Sequence, residues 1–148
     1  MSAVELHVPP DTKYVGLARL VVVTAARRSG MDEERVEDLR IAVSEATTNA
    51  IASHQHVGSE EPVVLSFGAD DDEDSFTVAI QDAGPGFEPA DPEELANRNW
   101  QDESGLGITL IRNLADEVEF IQGDGMRVHL QFAVALDANG VAAGGPVA

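Results

Sequence analysis

Two rhythms of apolar positions run along this chain. Short, largely alternating segments occur at Glu5 to Val8, Val63 to Phe67, Phe76 to Ile80, Val118 to Gln122 and Met126 to Val134. Successive strand residues face opposite sides of a sheet, so these segments predict five β-strands. A second rhythm repeats every three or four residues. Val36, Leu39, Val43, Ala46 and Ala50 form an apolar stripe, which predicts a helix from the N-cap residue Asp32 to about Ser53, with Glu33 and Glu34 suiting its first turn. Tyr14, Leu17, Val21 and Thr24 or Ala25 mark one face of an earlier helix, from about Thr12 to Arg28, which Gly30 stops. A third helix spans Gly107 to Ala115.

The order is strand, two helices, two strands, a long irregular segment, a helix and two strands. That order predicts an α/β fold, a two-layer α/β sandwich with a mixed β-sheet and helices on one face. The irregular segment from Asp82 to about Ser104 contains Pro, Gly, Asn and Asp, with a short helix near Glu93 to Asn97, and its length marks it as a candidate lid. Residues 1–136 are read as one domain. Residues 137–148, rich in Ala, Gly and Pro, are predicted to form a disordered tail.

Composition narrows the choice of partner. The chain has 148 residues, 43% of them hydrophobic, which suits a single folded domain. The net charge is −18, and a surface of that sign repels nucleic acid and anionic membranes while favouring basic protein partners. No apolar run approaches the roughly 18 residues of a membrane span, and no signal peptide is predicted. Cysteine is absent, which excludes disulfides and thiolate metal sites and fits a cytoplasmic protein. The acidic run Asp70 to Asp74 reads as a solvated hairpin turn rather than a cation site.

Three short stretches carry the candidate chemistry. Glu45 and Asn49 stand four apart on the second helix, so they share a face about 6 Å apart along the axis. An Asn carbonyl oxygen suits magnesium, which keeps waters and takes phosphate oxygens, and Glu45 is then free to act as a general base. The same pair is also what a solvated helix edge carries. Asp82 stands where a strand leaves the sheet, followed by Gly84 and Gly86. A carboxylate accepts hydrogen bonds, so it could anchor the exocyclic amine of adenine, while Asp, Gly and Pro together also make an ordinary surface turn. Gly105 and Gly107 are read as preceding a helix whose N-terminus would suit phosphates. His54 and His56 are read as polar residues at a helix end, since two such residues do not close a metal site.

Taken in order, these motifs resemble those of the Bergerat-fold ATPases, the superfamily of gyrase and the sensor histidine kinases. Within it the chain is similar to the bacterial anti-sigma-factor serine kinases of stress response and sporulation. The segment Ile41 to Ile51 matches that family's N box, Asp82 to Phe87 its first glycine box, and Gly105 to Ile111, continuing to Val118, its second. The resemblance spans about residues 5 to 134. It implies ATP and Mg2+ as cofactors, Glu45 as general base, Asn49 as magnesium ligand and Asp82 as adenine anchor. It also implies nucleotide loops shaped by Gly84, Gly86, Ser104, Gly105, Leu106, Gly107 and Thr109, and a lid at about 87–104. Expected partners are a sigma factor, which such proteins sequester, and an anti-anti-sigma factor of the STAS type, which they phosphorylate on serine. A homodimer is expected, and Arg19 matches a position used for partner contact.

The chain departs from the family pattern at three places. Glu103 stands where a basic residue often precedes the second glycine box. Met126 follows Gly125 where threonine is usual. Ser53 occupies the place, four after Asn49, where histidine is usual, with His54 next. These departures leave open an alternative: a partner-switching module that binds nucleotide with weak or no catalysis.

Overall fold

The computed structural model describes residues 3–71, 74–83, 103–123 and 125–135. Gly84, Gly86, nearly all of the predicted lid and the predicted tail lie outside the described residues. Strand β1 (Val4–Val8) leads through a 3-10 turn at Thr12–Tyr14 into helix α1 (Val15–Arg28), followed by α2 (Glu33–Val57). Strands β2 (Val63–Ala69) and β3 (Ser75–Gln81), helix α3 (Glu103–Leu114) and strands β4 (Glu117–Gln122) and β5 (Met126–Ala133) complete the fold.

The five strands form one sheet in the order β1-β2-β3-β5-β4. Every pairing in it is antiparallel, where the element order predicts a mixed sheet. The cause is topological. β3 and β4 run the same way and are joined through α3, as a crossover requires, but β5 inserts between them and pairs antiparallel with both.

Register places apolar residues in rows on the helix side. One row reads Leu6, Leu65, Ile80, Val128 and Phe120 across all five strands. These residues join Val36, Leu39, Val43 and Ala50 of α2 in a single core. The opposite face carries Glu5, Ser66, Ala79, His129 and Glu119 across the same row. There, partial burial and the neighbouring Arg127 push the His129 imidazole below its ordinary value, and Arg127 Nε donates to His129 Nε2 at 2.7 Å.

The helix layer confirms the α2 stripe and corrects two other expectations. α1 buries Ala18, Val22, Val23 and Ala26, while Leu17 is 56% exposed. The helix is apolar on most sides, so several four-residue stripes compete, and the small Ala18 and Ala26 let it approach its neighbours closely. α2 runs one turn past Ser53 to Val57 and ends at Gly58, whose φ of 71° is the left-handed conformation that glycine adopts without strain.

A buried arginine locks the helix layer to the far edge of the sheet. Arg35 Nη1 donates to Asp38 at 2.6 Å and to the Leu114 carbonyl at 3.4 Å, and Nη2 pairs with Asp116. The Asp116 carboxylate also accepts from the Ala133 N–H at 2.7 Å, and the guanidinium lies over the Phe132 ring. The start of α2, the end of α3, the residue before β4 and strand β5 thus share one ion cluster. A buried charge is tolerated only when paired in this way.

Candidate functional site

The site begins with the alternation of β3. Its helix-facing row reads Phe76, Val78, Ile80, and the next position of that parity is Asp82. A carboxylate therefore takes the place of a core residue at the exit of the strand, where it is only 7% exposed. Its surroundings are set by the main chain. The Asp82 N–H donates to the Met126 carbonyl at 2.9 Å, the Met126 N–H lies 3.4 Å from Asp82 Oδ1, and Gln81 Nε2 donates to the Asp82 carbonyl at 2.9 Å. Gly125 packs directly on this backbone: a Cβ there would lie 1.8 Å from the Asp82 carbonyl oxygen. Glycine is required by that close approach.

The second part of the site lies between α2 and α3. Glu45 and Asn49, one turn apart on α2 and each partly buried, converge on Gly107 of α3. A Cβ at Gly107 would stand 3.0 Å from Glu45 Oε2 and 3.4 Å from the Asn49 amide nitrogen. The pair does not lie on a free solvated edge; it faces a helix contact that glycine keeps open.

This placement also corrects the reading of the second glycine box. α3 starts at Glu103, so Ser104, Gly105, Leu106 and Gly107 lie inside its first turns rather than before it. Gly107 is buried, and its lack of a side chain serves helix packing. Thr109 is exposed on α3, and Arg19 is exposed on α1, with its Nη1 3.5 Å from Ser44 Oγ of α2.

For two residues of the site the motifs gave a position but not a role. The role of Gly125 lies in its contact with Asp82. His54 is fully buried in the last turn of α2; its Nε2 accepts from the Ala83 N–H at 2.8 Å and its Nδ1 lies 2.8 Å from the Glu61 carbonyl. A signal was present: His54 continues the stripe by four residues from Ala50.

The donor set fits magnesium bound together with phosphates. Among the described residues no group of three His, Asp or Glu side chains converges as a metal cage. The Asn49 amide oxygen would instead suit a hard cation that takes its remaining ligands from water and phosphate, leaving the Glu45 carboxylate beside it free. The buried acceptor Asp82 fits an amine donor such as that of adenine.

Fold and site together define a class: the chain belongs to the histidine kinase-like ATPase domain family, whose sequence profile matches residues 8–132. Within that class it is similar to the RsbW serine-protein kinases. It is 33% identical to that of Oceanobacillus iheyensis over 141 residues, 89% of this chain and 87% of the relative. It is 32% identical to that of Staphylococcus aureus over 136 residues, 86% and 84% of the two chains. Solved structures share the fold. The RsbU and RsbW domains of a Mycobacterium tuberculosis protein superpose with a TM-score of 0.67 at 15% identity, covering 90% of this chain and 33% of that one. The SiaB-SiaC complex of Pseudomonas aeruginosa gives 0.62 at 11% identity, covering 87% and 88%. None of the described helices is long and apolar enough to cross a membrane.

Proposed function

We propose that this chain is an ATP-dependent protein serine kinase that works as an anti-sigma partner switch, holding a sigma factor and phosphorylating a serine of an anti-anti-sigma protein. The observation that carries the reading is the convergence of Glu45 and Asn49 on Gly107, which joins the N box to the second glycine box at one point. Similarity to the serine-protein kinases RsbW over most of both chains supports the substrate class.

In this reading Asp82 accepts the adenine amine and Asn49 contributes an oxygen to magnesium, which when bound neutralises phosphate charge. Glu45 takes the proton of the attacking serine hydroxyl as its oxygen bonds to the γ-phosphorus and the bond to the ADP oxygen breaks. Catalysis rests mainly on positioning and charge stabilisation. The exposed Arg19, flanked on α1 by the exposed Leu17 and Leu20, supplies a mixed basic and apolar surface for a protein partner. The protein acts in the cytoplasm as a homodimer.

Calorimetric titration with Mg·ATP, beside Asp82→Asn, tests the pocket. Saturable binding lost in the variant supports the reading, and normal affinity in the variant removes Asp82 from the site. Labelled ATP with candidate STAS-type partners then separates the kinase from a second reading, a nucleotide-binding switch without transfer. Glu103 and Met126, at positions where the family carries a basic residue and threonine, favour that second reading.

A further inference from the structure

Asp82 can act as an acceptor only if its carboxylate points in a fixed direction, and that direction depends on the two peptide planes flanking its Cα. The plane before it is held by the bond from the Asp82 N–H to the Met126 carbonyl, at 2.9 Å. The plane after it is held by the bond from the Ala83 N–H to His54 Nε2, at 2.8 Å, while Gln81 Nε2 bonds the carbonyl of that same plane. The first clamp comes from the sheet. The second comes from a side chain 29 residues earlier in the sequence, in the last turn of α2, five positions after Asn49.

The chemistry of the two contacts fixes the state of the imidazole. The Glu61 carbonyl, 2.8 Å from Nδ1, can only accept, so Nδ1 carries the hydrogen. The Ala83 N–H can only donate, so Nε2 presents its lone pair. His54 is fully buried, so bulk solvent does not reach either ring nitrogen. A neutral ring in a single tautomer thus bridges the segment after α2 and the exit of β3. Gly58, in the left-handed conformation, turns the chain at the end of α2 on the way to Glu61.

We propose that His54 is a positioning residue for nucleotide binding: as the neutral Nδ1–H tautomer it clamps the Asp82–Ala83 peptide, and so aims the Asp82 carboxylate, from the same helix that carries Glu45 and Asn49. This rests on the reading of Asp82 as the nucleotide anchor. It adds that the two ends of the site are coupled through α2, since a shift of that helix would move the base anchor together with the general base.

Two amide substitutions in the full chain separate the two ring nitrogens. The amide of His54→Gln reaches the place of Nε2 and offers an oxygen to the Ala83 N–H. The amide of His54→Asn reaches only the place of Nδ1 and leaves that N–H without a partner. His54→Gln should bind Mg·ATP within about threefold of the parent, and His54→Asn about tenfold weaker, the scale of one lost hydrogen bond. In transfer assays His54→Asn should raise KM for ATP and leave kcat nearly unchanged. Equal affinity of the two variants and the parent, or equal loss in both, would overturn the clamp. Nitrogen NMR of the parent protein gives a check that does not depend on variant folding. An Nδ1-protonated neutral ring at pH 7 is expected, and an Nε2-protonated or charged ring would overturn the assignment. If the parent itself binds no Mg·ATP, the nucleotide reading of the site falls, whereas failure of the clamp alone leaves Mg·ATP binding by the parent and its loss in Asp82→Asn intact.

Discussion

The two ends of the site are built from different materials. At the Asp82 end the geometry is set by main-chain hydrogen bonds and a backbone-to-backbone contact: Met126 on one side, Gly125 against the carbonyl, and His54 beyond. At the Glu45 end it is set by side chains, two of them on α2 meeting a glycine on α3. The Asp82 end is framed mainly by main chain, with the His54 and Gln81 side chains closing it, so an error in its backbone costs stability and binding together. A site between two helices can be altered one side chain at a time, so errors there cost chemistry while the fold survives.

Gly125→Ala should produce the largest effect, by striking both stability and binding. Its Cβ would lie 1.8 Å from the Asp82 carbonyl oxygen and 3.0 Å from the Ala83 Cα, both backbone atoms that cannot rotate away. A loss of about 2–3 kcal/mol or more is expected, lowering Tm by several degrees, together with loss of Mg·ATP binding. Unchanged melting with retained binding would break the distinction drawn between the two ends. Glu45→Ala should come next and divide the properties: Mg·ATP binding stays near the parent level while serine phosphorylation falls about 100-fold or more, the usual scale of a general base. Transfer at the parent rate would remove Glu45 from that role.

Gly107→Ala sharpens the comparison from the other end. Alanine favours a helix over glycine by about 1 kcal/mol, which opposes the tight 3.0 Å contact with the movable end of the Glu45 side chain. Tm should hold or rise slightly while transfer falls about tenfold, because the new methyl displaces Glu45. A Tm drop as large as that of Gly125→Ala would mean that the two glycines serve the same purpose.

Much of this construction was legible in the sequence, and the gaps have physical causes. The α2 stripe and the strand alternations marked the buried rows because each period has one solution in a half-buried element. Asp82 was legible as an acid at a strand exit, although its burial follows from parity with Ile80. α1 was misread because its composition supports several stripes. Spacing places Gly105 and Gly107 before a helix, whereas both lie inside α3 and Gly107 serves its close packing on α2, a property of the partner surface that local sequence does not carry. The reading of His54 as a polar residue at a helix end misses its burial. Its polarity is instead the reason it is buried there, bonded on both sides. Arg35 gave little signal: Asp38 stands one turn on, but Leu114 and Asp116 lie about 80 residues away and meet it only in the fold.

The smallest effect is expected far from both ends, at the junction of α1 and α2. Arg27 Nε donates to Glu33 Oε1 at 3.0 Å and Nη2 to Oε2 at 3.2 Å, and this bidentate bond holds the Glu33 carboxyl below its ordinary value. A carboxyl whose folded value is depressed contributes stability above its unfolded value, about 4.3, and loses it as pH falls through the folded one. Glu33→Gln should therefore lower Tm slightly at pH 7 and leave it equal to the parent below that acid limb. Both groups are exposed to solvent, so the difference at pH 7 should shrink further in high salt. Melting curves from pH 2 to 7 at two salt concentrations check this. A difference that persisted at the lowest pH would show that Glu33 supports α2 by packing or capping rather than by its pair with Arg27.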